Sequence, residues 1–325
     1  MPSLAAVDEC AKTGADCQSS CFAAHGCDAP RSCRDCSTCY PGATGMYDVR
    51  PTAEQMQALA SFIERGEIAV LTGAGLSTES GIPDYRGPSS RDRVRRPMQY
   101  QEFIKSAAAR RRYWARSMLG WPRFAAARPN AGHSALQALK ARGLVSGIVT
   151  QNVDGLHAAA GTDDAVELHG ALRETICLEC GRLMPRDELQ LELERMNSEL
   201  IAETFELAPD GDADLDDSHL ERFQLLDCEC GGRLKPHVVF FGENVPRPRV
   251  DRAFAMVERA RALLVVGSSL TVWSGFRFVR KAAECGQPVA ILSLGPTRGD
   301  PCASLRIEAA AGLTLSELSA QIHLA

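Results

Sequence analysis

An apolar segment, IAVL at residues 68–71, runs directly into a segment with three glycines, and this junction limits the folds open to the chain. A strand that enters a glycine turn is typical of α/β proteins, where the glycines let the backbone approach a phosphate and the following helix end supplies N–H donors. Gly73 and Gly75 are followed by a third glycine only at Gly81, which is too far along for the ordinary dinucleotide fingerprint. The sequence therefore predicts a modified nucleotide-binding loop.

Three further segments end in small or polar residues in the same way. They are LVSGIVT at 144–150, ALLVV at 262–266 and PVAIL at 288–292, and helical patterns separate them. Asn130 is a suitable cap for the helix before the first of these strands, and Gly143 a suitable stop. Repeated strand-to-loop junctions of this kind predict an α/β fold, a Rossmann-like parallel sheet with helices on both faces and a ligand along its carboxyl edge.

Overall charge and hydropathy exclude several classes of partner. The 325-residue chain has a formal charge of -5, which gives no general reason to bind nucleic acid. No apolar run approaches the length of about 18 residues that spans a membrane. Acidic residues and the lack of an apolar core near the amino terminus argue against a secretory signal or a mitochondrial presequence. We expect a cytoplasmic monomer with no specific nucleic-acid or membrane partner, or a mitochondrial protein if the source is eukaryotic.

Seven of the 13 cysteines lie before residue 40, and three of them form the run Cys33-x-x-Cys36-x-x-Cys39. That run is compatible with an iron–sulfur or zinc site, but the segment has few large apolar residues. We expect residues 1–47 to be a disordered cysteine-rich extension and residues 48–325 to form the catalytic domain.

Two cysteine pairs interrupt the α/β pattern at about residues 174–234. They are Cys177-x-x-Cys180 and Cys228-x-Cys230. Four thiolates close a tetrahedral shell around zinc and can fold a small module, so this spacing predicts one structural zinc ion. Because the second pair is C-x-C, Asp227 is an alternative to Cys228 as the fourth ligand.

Polar side chains follow the strand that ends at Thr150. Gln151, Asn152 and Asp154 offer amide and carboxylate groups that can hold ribose hydroxyls or a carboxamide. A histidine is suited to take a proton from a sugar hydroxyl near neutral pH, and the two candidates are His157 and His169.

Taken together, these segments resemble the sirtuins, NAD-dependent protein-lysine deacylases, in order across about residues 50–320. The motifs are Gly73-Ala74-Gly75 with Ser77, Ser80 and Gly81-Ile82-Pro83-Asp84-Tyr85-Arg86; Thr150-Gln151-Asn152-Val153-Asp154 with His157; Leu168-His169-Gly170; the cysteine pairs; Val239-Phe240-Phe241-Gly242-Glu243; and Gly267-Ser268-Ser269-Leu270. Tyr113-Trp114-Ala115-Arg116 and Gly295-Pro296-Thr297-Arg298 are similar to the class II branch, which includes bacterial members.

The resemblance implies a role for each matching residue. Residues implied to bind NAD are Gly73, Ala74, Gly75, Ser77 and Thr78 at the phosphates; Pro83, Asp84, Tyr85 and Arg86 on a loop that closes over the nicotinamide ribose; Gln151, Asn152, Val153 and Asp154 at the ribose and carboxamide; and Gly267, Ser268, Ser269, Ser293, Leu294 and Gly295 at the adenosine half. Catalysis is assigned to His169, as general base, and to Asn152. A helical region between the glycine loop and residue 128 completes the cofactor site.

The implied reaction consumes NAD as a co-substrate. The acyl-lysine oxygen attacks C1′ of the nicotinamide ribose, nicotinamide leaves, and His169 activates a ribose hydroxyl that takes over the acyl group. Acylated protein lysines are the expected partners, held as an added strand beside Val239, Phe240, Phe241, Gly242 and Glu243. The alternatives are a mono-ADP-ribosyltransferase, in which another nucleophile captures C1′, and a non-catalytic sensor of NAD or ADP-ribose.

Overall fold

The structure is a computed structural model, and it describes residues 49–84, 97–201 and 217–323. The main sheet has six parallel strands in the order β3-β2-β1-β7-β8-β9. These strands are β1 Ile68–Thr72, β2 Val145–Thr150, β3 Val166–Glu167, β7 Ala262–Val266, β8 Val289–Leu292 and β9 Leu305–Ile307. The parallel sheet predicted from the sequence is confirmed.

Helices cover both faces of this sheet. The helices of the described residues are α1 Ala53–Ile63, α2 Tyr100–Lys105, α3 Ala107–Ala126, α4 Ala131–Ala141, α5 Leu156–Ala159, α6 Arg186–Met196, α7 Ser198–Ile201, α8 Asp217–Arg222, α9 Arg247–Arg259, α10 Trp273–Glu284 and α11 Ala311–His323. Of these, α1, α4 and α11 pack on one face of the sheet, and α9 and α10 pack on the other. Strand β1 is buried along its whole length and supplies alternate side chains to two cores. Ile68 and Val70 pack in the core under α1, α4 and α11, whereas Ala69 and Leu71 pack in the core under α9 and α10. Burial on both faces explains the uninterrupted apolar sequence of the strand.

The strand order changes direction at β1, which pairs with β2 on one side and β7 on the other. Ligands of open α/β sheets bind at such a switch point, outside the carboxyl ends of the strands. The loops that begin at Gly73, Gln151 and Gly267 therefore meet at one place.

The second sheet is small, antiparallel and ordered β5-β4-β6, with β4 Gly170–Cys177, β5 Leu183–Pro185 and β6 Leu234–Val238. A third apolar core joins it to α2, α3 and α6. Trp114 of α3 lies in this core and donates its indole N–H to the Leu234 carbonyl at 3.2 Å. The cysteine module is thus built against the helical region that follows the glycine loop.

The start of α4 is connected to the glycine loop. The Asn130 side chain caps the helix by accepting from the N–H groups of Gly132 and His133, and it donates to the Leu76 carbonyl at 2.7 Å. Gly143 has a φ of +74°, as expected for a glycine that ends a helix.

Two groups of sequence predictions fall outside the described residues. They are the amino-terminal extension with its cysteine run, and the part of the nucleotide loop that contains Tyr85 and Arg86. Within the described ranges, none of the helices combines the length and the apolar character that crossing a membrane requires.

Candidate active site

The glycine loop packs directly on the loop after β7. The N–H of Gly73 donates to the Val266 carbonyl at 2.9 Å, and that of Gly75 donates to the Gly267 carbonyl at 2.8 Å. A Cβ atom at Gly73 would lie 2.7 Å from the Cβ of Ser268, and one at Gly75 would lie 2.9 Å from the Cα of Gly267. Real Cβ atoms do not approach so closely, so both positions require glycine. The loop continues as two short 3-10 turns, Ala74–Leu76 and Thr78–Ser80.

Amide side chains after β2 join the three strand ends. Asn152 Nδ2 donates to the Gly73 carbonyl at 3.1 Å and to Ser77 Oγ at 3.0 Å. Gln151 Nε2 donates to Ser268 Oγ at 2.8 Å. Val153 lies between these residues and the third core, and its carbonyl accepts from the N–H of Leu172. The structure therefore brings the predicted groups at the ends of β1, β2 and β7 into one cluster.

Asp154 is the acidic member of this cluster. Its carboxylate accepts from Ser77 Oγ at 2.7 Å and from the Leu156 N–H at 2.9 Å. Burial raises the pKa of Asp154 above its ordinary value, and these two hydrogen bonds oppose the shift. The two donors allow a carboxylate to persist in a place that would otherwise disfavour charge.

His169 lies at the edge of the cluster, just before β4. Its Nδ1 is 2.9 Å from the Gln151 carbonyl oxygen, and its Nε2 is 2.8 Å from Ser274 Oγ on α10. Burial lowers the pKa of His169, partly opposed by the Gln151 bond, and the charges of Arg277 and Arg249 lower it further. The imidazole is therefore neutral near pH 7, as a general base must be.

The other candidate histidine lies in a different environment. His157 is buried, with Nε2 2.9 Å from Thr72 Oγ1, and its ring meets the ring of His133 edge-on at 5.0 Å. Burial and the neighbouring His133 lower the pKa of His157 to about 3. This histidine belongs to the interior beneath the loops, so only His169 of the two stands with the polar cluster.

The loops after β7 and β8 lie side by side, as the strand order requires. Gly267, with a φ of +61°, turns the chain over Leu76. Arg306 binds Ser293 and Gly295: its guanidinium donates to both of their carbonyls and pairs with Asp300. Arg306 could not be predicted from the sequence, because an isolated arginine carries no sign of its partners.

Pro83 and Asp84 lie at the outer end of the glycine segment and are partly buried. Tyr85 and Arg86 lie outside the described residues. The structure therefore places two of the four predicted loop residues.

The segment predicted to hold a substrate follows β6. The Val239 N–H donates to the His169 carbonyl at 2.8 Å, which fixes this segment beside the candidate base. On its other side, the Phe241 carbonyl accepts from the Tyr100 N–H at 2.9 Å. Phe240 is buried against Phe103 and Tyr113.

An ion pair with a buried lysine lies beneath this segment, and its glutamate is partly exposed. Lys235 is 3% exposed, and its Nζ lies 3.0 Å from Glu243 Oε2. The same Glu243 oxygen accepts from the Phe240 N–H at 2.9 Å, and Nζ lies 4.9 Å from the centre of the Phe240 ring. The sequence analysis named Glu243 but missed Lys235, because a lysine in a strand usually reaches solvent.

The four paired cysteines converge. Their Sγ atoms lie within 4.8 Å of one another, with 3.6 Å between Cys177 and Cys230 and 3.8 Å between Cys180 and Cys228. A Zn–S bond of about 2.3 Å in a tetrahedron gives an S–S separation of about 3.8 Å, so these residues fit zinc. Asp227 is not part of this group among the described residues, and its backbone instead bridges to Arg233.

A profile of the Sir2 family matches residues 73–274. The chain is 50% identical over 285 residues to NAD-dependent protein deacetylase 1 of Streptomyces coelicolor, covering 87% of this chain and 94% of that protein. It is 52% identical over 274 residues to an NAD-dependent protein deacetylase of Xanthomonas axonopodis pv. citri, covering 84% of this chain and 94% of that protein.

Solved structures of Sir2 proteins are also similar to this chain. A Sir2 structure with a p53 peptide and NAD+ aligns with a TM-score of 0.62 at 27% identity, over 83% of this chain and 99% of that one. A mutant Sir2 homologue with ADP-ribose aligns with a TM-score of 0.66 at 28% identity, over 82% and 96%. The fold is that of the Sir2 enzymes. The chain belongs to the Sir2 family.

Proposed function

We propose that this chain is an NAD-dependent protein-lysine deacetylase that transfers the acyl group to ADP-ribose and releases nicotinamide. The observation that carries the proposal is the neutral His169, oriented by the Gln151 carbonyl at the edge of the amide and carboxylate cluster. Relatives named as NAD-dependent protein deacetylases, about half identical over most of their length, support the same activity.

The cluster has the donors and acceptors that NAD requires. We assign the turn around Gly73, Ala74 and Gly75, with Ser77 and Thr78, to the phosphates, because glycine backbone and hydroxyl groups suit phosphate oxygens. Gln151, Asn152, Val153 and Asp154 hold the nicotinamide ribose and carboxamide. The residues that close over this ribose are Pro83, Asp84, Tyr85 and Arg86, and those at the adenosine half are Gly267, Ser268, Ser269, Ser293, Leu294 and Gly295.

His169 performs the proton transfer. The Gln151 carbonyl can only accept, so Nδ1 carries the proton and Nε2 presents a lone pair. Bound NAD, a substrate of the reaction, supplies an activated C1′ that the acyl oxygen of the lysine captures as nicotinamide departs. Nε2 of His169 then takes the proton of the ribose hydroxyl that attacks the acyl carbon, while Asn152 keeps the reacting ribose in place. A water molecule adds to the same carbon, the bond from that carbon to the lysine nitrogen breaks, and the lysine leaves as the free amine.

The acyl-lysine enters beside the segment of Val239, Phe240, Phe241, Gly242 and Glu243. The hydrogen bond between the Val239 N–H and the His169 carbonyl supports this assignment, because it ties the substrate edge to the base. Backbone pairing along such an edge reads the peptide main chain first, so a range of protein sequences should be accepted.

We assign the zinc to Cys177, Cys180, Cys228 and Cys230. The sulfur separations and the third apolar core, which contains Cys177 and Cys228, support a structural role. A bound ion would hold the β4 and β6 ends together and so support the segment that begins at Val239.

We further propose that residues 48–325 are the catalytic domain and that the chain works as a cytoplasmic monomer on protein substrates, without a nucleic-acid or membrane partner. The formal charge of -5 and a thiol cluster that needs a reducing compartment support this proposal. Light scattering of the purified chain and fractionation of the source cells test it, and a dimer or a membrane fraction would contradict it.

The activity is tested by incubating the protein with NAD and peptides carrying acetyl and longer acyl groups on lysine, followed by mass spectrometry. We expect equal amounts of nicotinamide, deacetylated peptide and O-acetyl-ADP-ribose. ADP-ribosylated protein without deacylated peptide would favour the transferase alternative. NAD binding with no product from any peptide would favour the sensor.

A further inference from the structure

A serine that the sequence analysis did not select stands directly against the proposed base. Ser274 Oγ lies 2.8 Å from Nε2 of His169, although the two residues are 105 positions apart in the chain. Because Nδ1 donates its proton to the Gln151 carbonyl, Nε2 of the neutral ring has no hydrogen and can only accept. Ser274 is therefore the donor in this contact.

The position of Ser274 is fixed by the first turn of α10. The next residue, Gly275, is buried against Gln151, and a Cβ atom there would lie 2.3 Å from Gln151 Oε1. The helix thus touches both the residue that orients the base and the base itself. Its amino-terminal end also presents the positive end of the helix dipole to the imidazole, which disfavours protonation of the ring.

Nε2 has one lone pair and two prospective donors. In the proposed reaction this nitrogen must accept the proton of a ribose hydroxyl, yet the Ser274 hydroxyl already donates to it. Both cannot donate to it along its axis at once. The Ser274 hydroxyl therefore stands where the substrate hydroxyl has to arrive.

We propose that Ser274 is a positioning residue that holds His169 in the neutral, Nδ1-protonated form until a ribose hydroxyl of NAD replaces it at Nε2. This inference rests on the proposed function, since it takes His169 as the base. It adds a residue and a sequence of events: the serine donates first, then yields its place on NAD binding, and takes no part in the proton transfer.

The hydrogen bond from Ser274 should affect the titration of His169, and that titration can be measured. Charged groups around His169 are Arg277 of α10 and Arg249 of α9, which both disfavour protonation. Acidic groups on the adjoining segments are Asp154, which accepts from Ser77, and Glu167, which pairs with Arg173. None of these changes in Ser274→Ala, so any change in the titration of His169 reports the lost hydroxyl.

The direct test is an NMR titration of His169, with its signal assigned by its loss in His169→Gln. Losing a donor to the neutral ring should raise the pKa of His169 by about 0.5–1 pH unit in Ser274→Ala. Ser274→Thr, which keeps a hydroxyl, should restore the wild-type titration. Ser304→Ala, which removes a hydroxyl bonded to the Val289 carbonyl far from the base, is the matched control and should leave it unchanged.

The same titrations with saturating ADP-ribose separate this proposal from a general loosening of the site. Because the ribose hydroxyl would then occupy Nε2, wild type and Ser274→Ala should titrate alike. An unshifted titration in the ligand-free Ser274→Ala protein, or a shift that persists with ADP-ribose, would overturn the proposal. Neither measurement needs turnover, so a failure here is distinct from a failure of the proposed deacetylase activity.

Kinetics supply a second readout. The pH dependence of kcat/KM for NAD reports the NAD-free enzyme, whereas that of kcat reports the complex. Ser274→Ala should shift the acid limb of kcat/KM upward by the same 0.5–1 unit, roughly, and leave the acid limb of kcat in place. A fall in kcat of about 100-fold with nicotinamide exchange retained would mean that the hydroxyl itself carries the proton, which contradicts the proposal.

Discussion

The Ser77 hydroxyl donates to the Asp154 carboxylate at 2.7 Å while it accepts from Asn152 Nδ2 at 3.0 Å. One hydroxyl thereby connects the glycine loop after β1 with two of the three polar residues after β2. The bond to Ser77 also offsets part of the cost of burying the Asp154 charge. The orientation of Asn152 and Asp154 therefore depends on a serine of the glycine loop.

Ser77→Ala should weaken catalysis and stability together. Asp154 would lose a donor in a buried site, and the free energy of unfolding should fall by about 1–3 kcal/mol. Because the Asn152 amide would keep its bond to the Gly73 carbonyl but lose the one to Ser77, we expect kcat/KM for NAD to fall by about 10–100-fold. Urea unfolding and initial rates measure the two effects. Ser134→Ala, on the exposed face of α4, is the control and should change stability by no more than about 0.5 kcal/mol. Equal behaviour of the two variants would contradict the account.

Lys235→Met should affect the substrate edge more than the NAD site. Glu243 would lose its cation but keep its bond to the Phe240 N–H, and because its side chain is 23% exposed we expect a loss of about 1–3 kcal/mol. We expect a higher KM for the acyl-peptide and an unchanged KM for NAD. The comparison is Arg182→Met, which breaks an exposed pair with Glu229 and should leave stability and both KM values close to those of the wild type. A rise in the KM for NAD alone would show that the pair does not support the peptide edge.

Zinc content should distinguish Cys228 from Asp227. Cys228→Ser removes one of four converging thiols and should lower the bound zinc well below one ion per chain, with loss of folded protein. Asp227→Asn should retain one ion. Elemental analysis measures zinc in the purified variants, in the full chain and in a shortened chain that begins at Met46. One zinc in both the full and the shortened chain agrees with a single site, whereas a second metal in the full chain would assign a site to the amino-terminal cysteines.

The buried histidine pair should make the fold sensitive to acid. Burial lowers the pKa of His133 to about 4, and burial together with His133 lowers that of His157 to about 3. Both values lie below the 6.5 of an unfolded histidine, so the unfolded chain binds more protons as the pH falls. Their contribution is fully present above pH 6.5, roughly, and is lost as the pH drops toward the folded values. His157→Gln and His133→Gln should each flatten the dependence of unfolding free energy on pH between about 7 and 5. Parallel slopes in all three proteins would contradict this.

Much of the fold and the polar cluster could be predicted because local sequence carries the information. Buried parallel strands appear as apolar runs, as β1 does, and their carboxyl ends meet wherever the strand order places them together. Gly73 and Gly75 were recognisable because the loop after β7 packs so closely on them that only glycine fits, which leaves a glycine pattern in the sequence. The pairing of four cysteines likewise follows from the geometry of one metal ion.

The residues that were missed act through partners that sequence cannot supply. Ser274 resembles an ordinary helix start, and only the packing of α10 on Gln151 brings it to His169. Lys235 and Arg306 resemble solvated side chains until their partners, Glu243 and the carbonyl of Ser293, are placed beside them. Sequence patterns alone could not decide between His157 and His169 for the same reason. Both histidines follow one strand, and only the packing shows which of them lies with the polar cluster.

The central claim is that His169 acts after nicotinamide has left. His169→Ala should be measured for deacetylation of an acetyl-lysine peptide and, in the same preparation, for exchange of labelled nicotinamide into NAD. The control is His237→Ala, which removes a histidine of β6 that is bonded to Glu174 of β4. We expect His169→Ala to lose about 10²–10⁴-fold in deacetylation, the range for removal of a general base, while nicotinamide exchange persists and His237→Ala stays active. Undiminished deacetylation by His169→Ala would contradict the account.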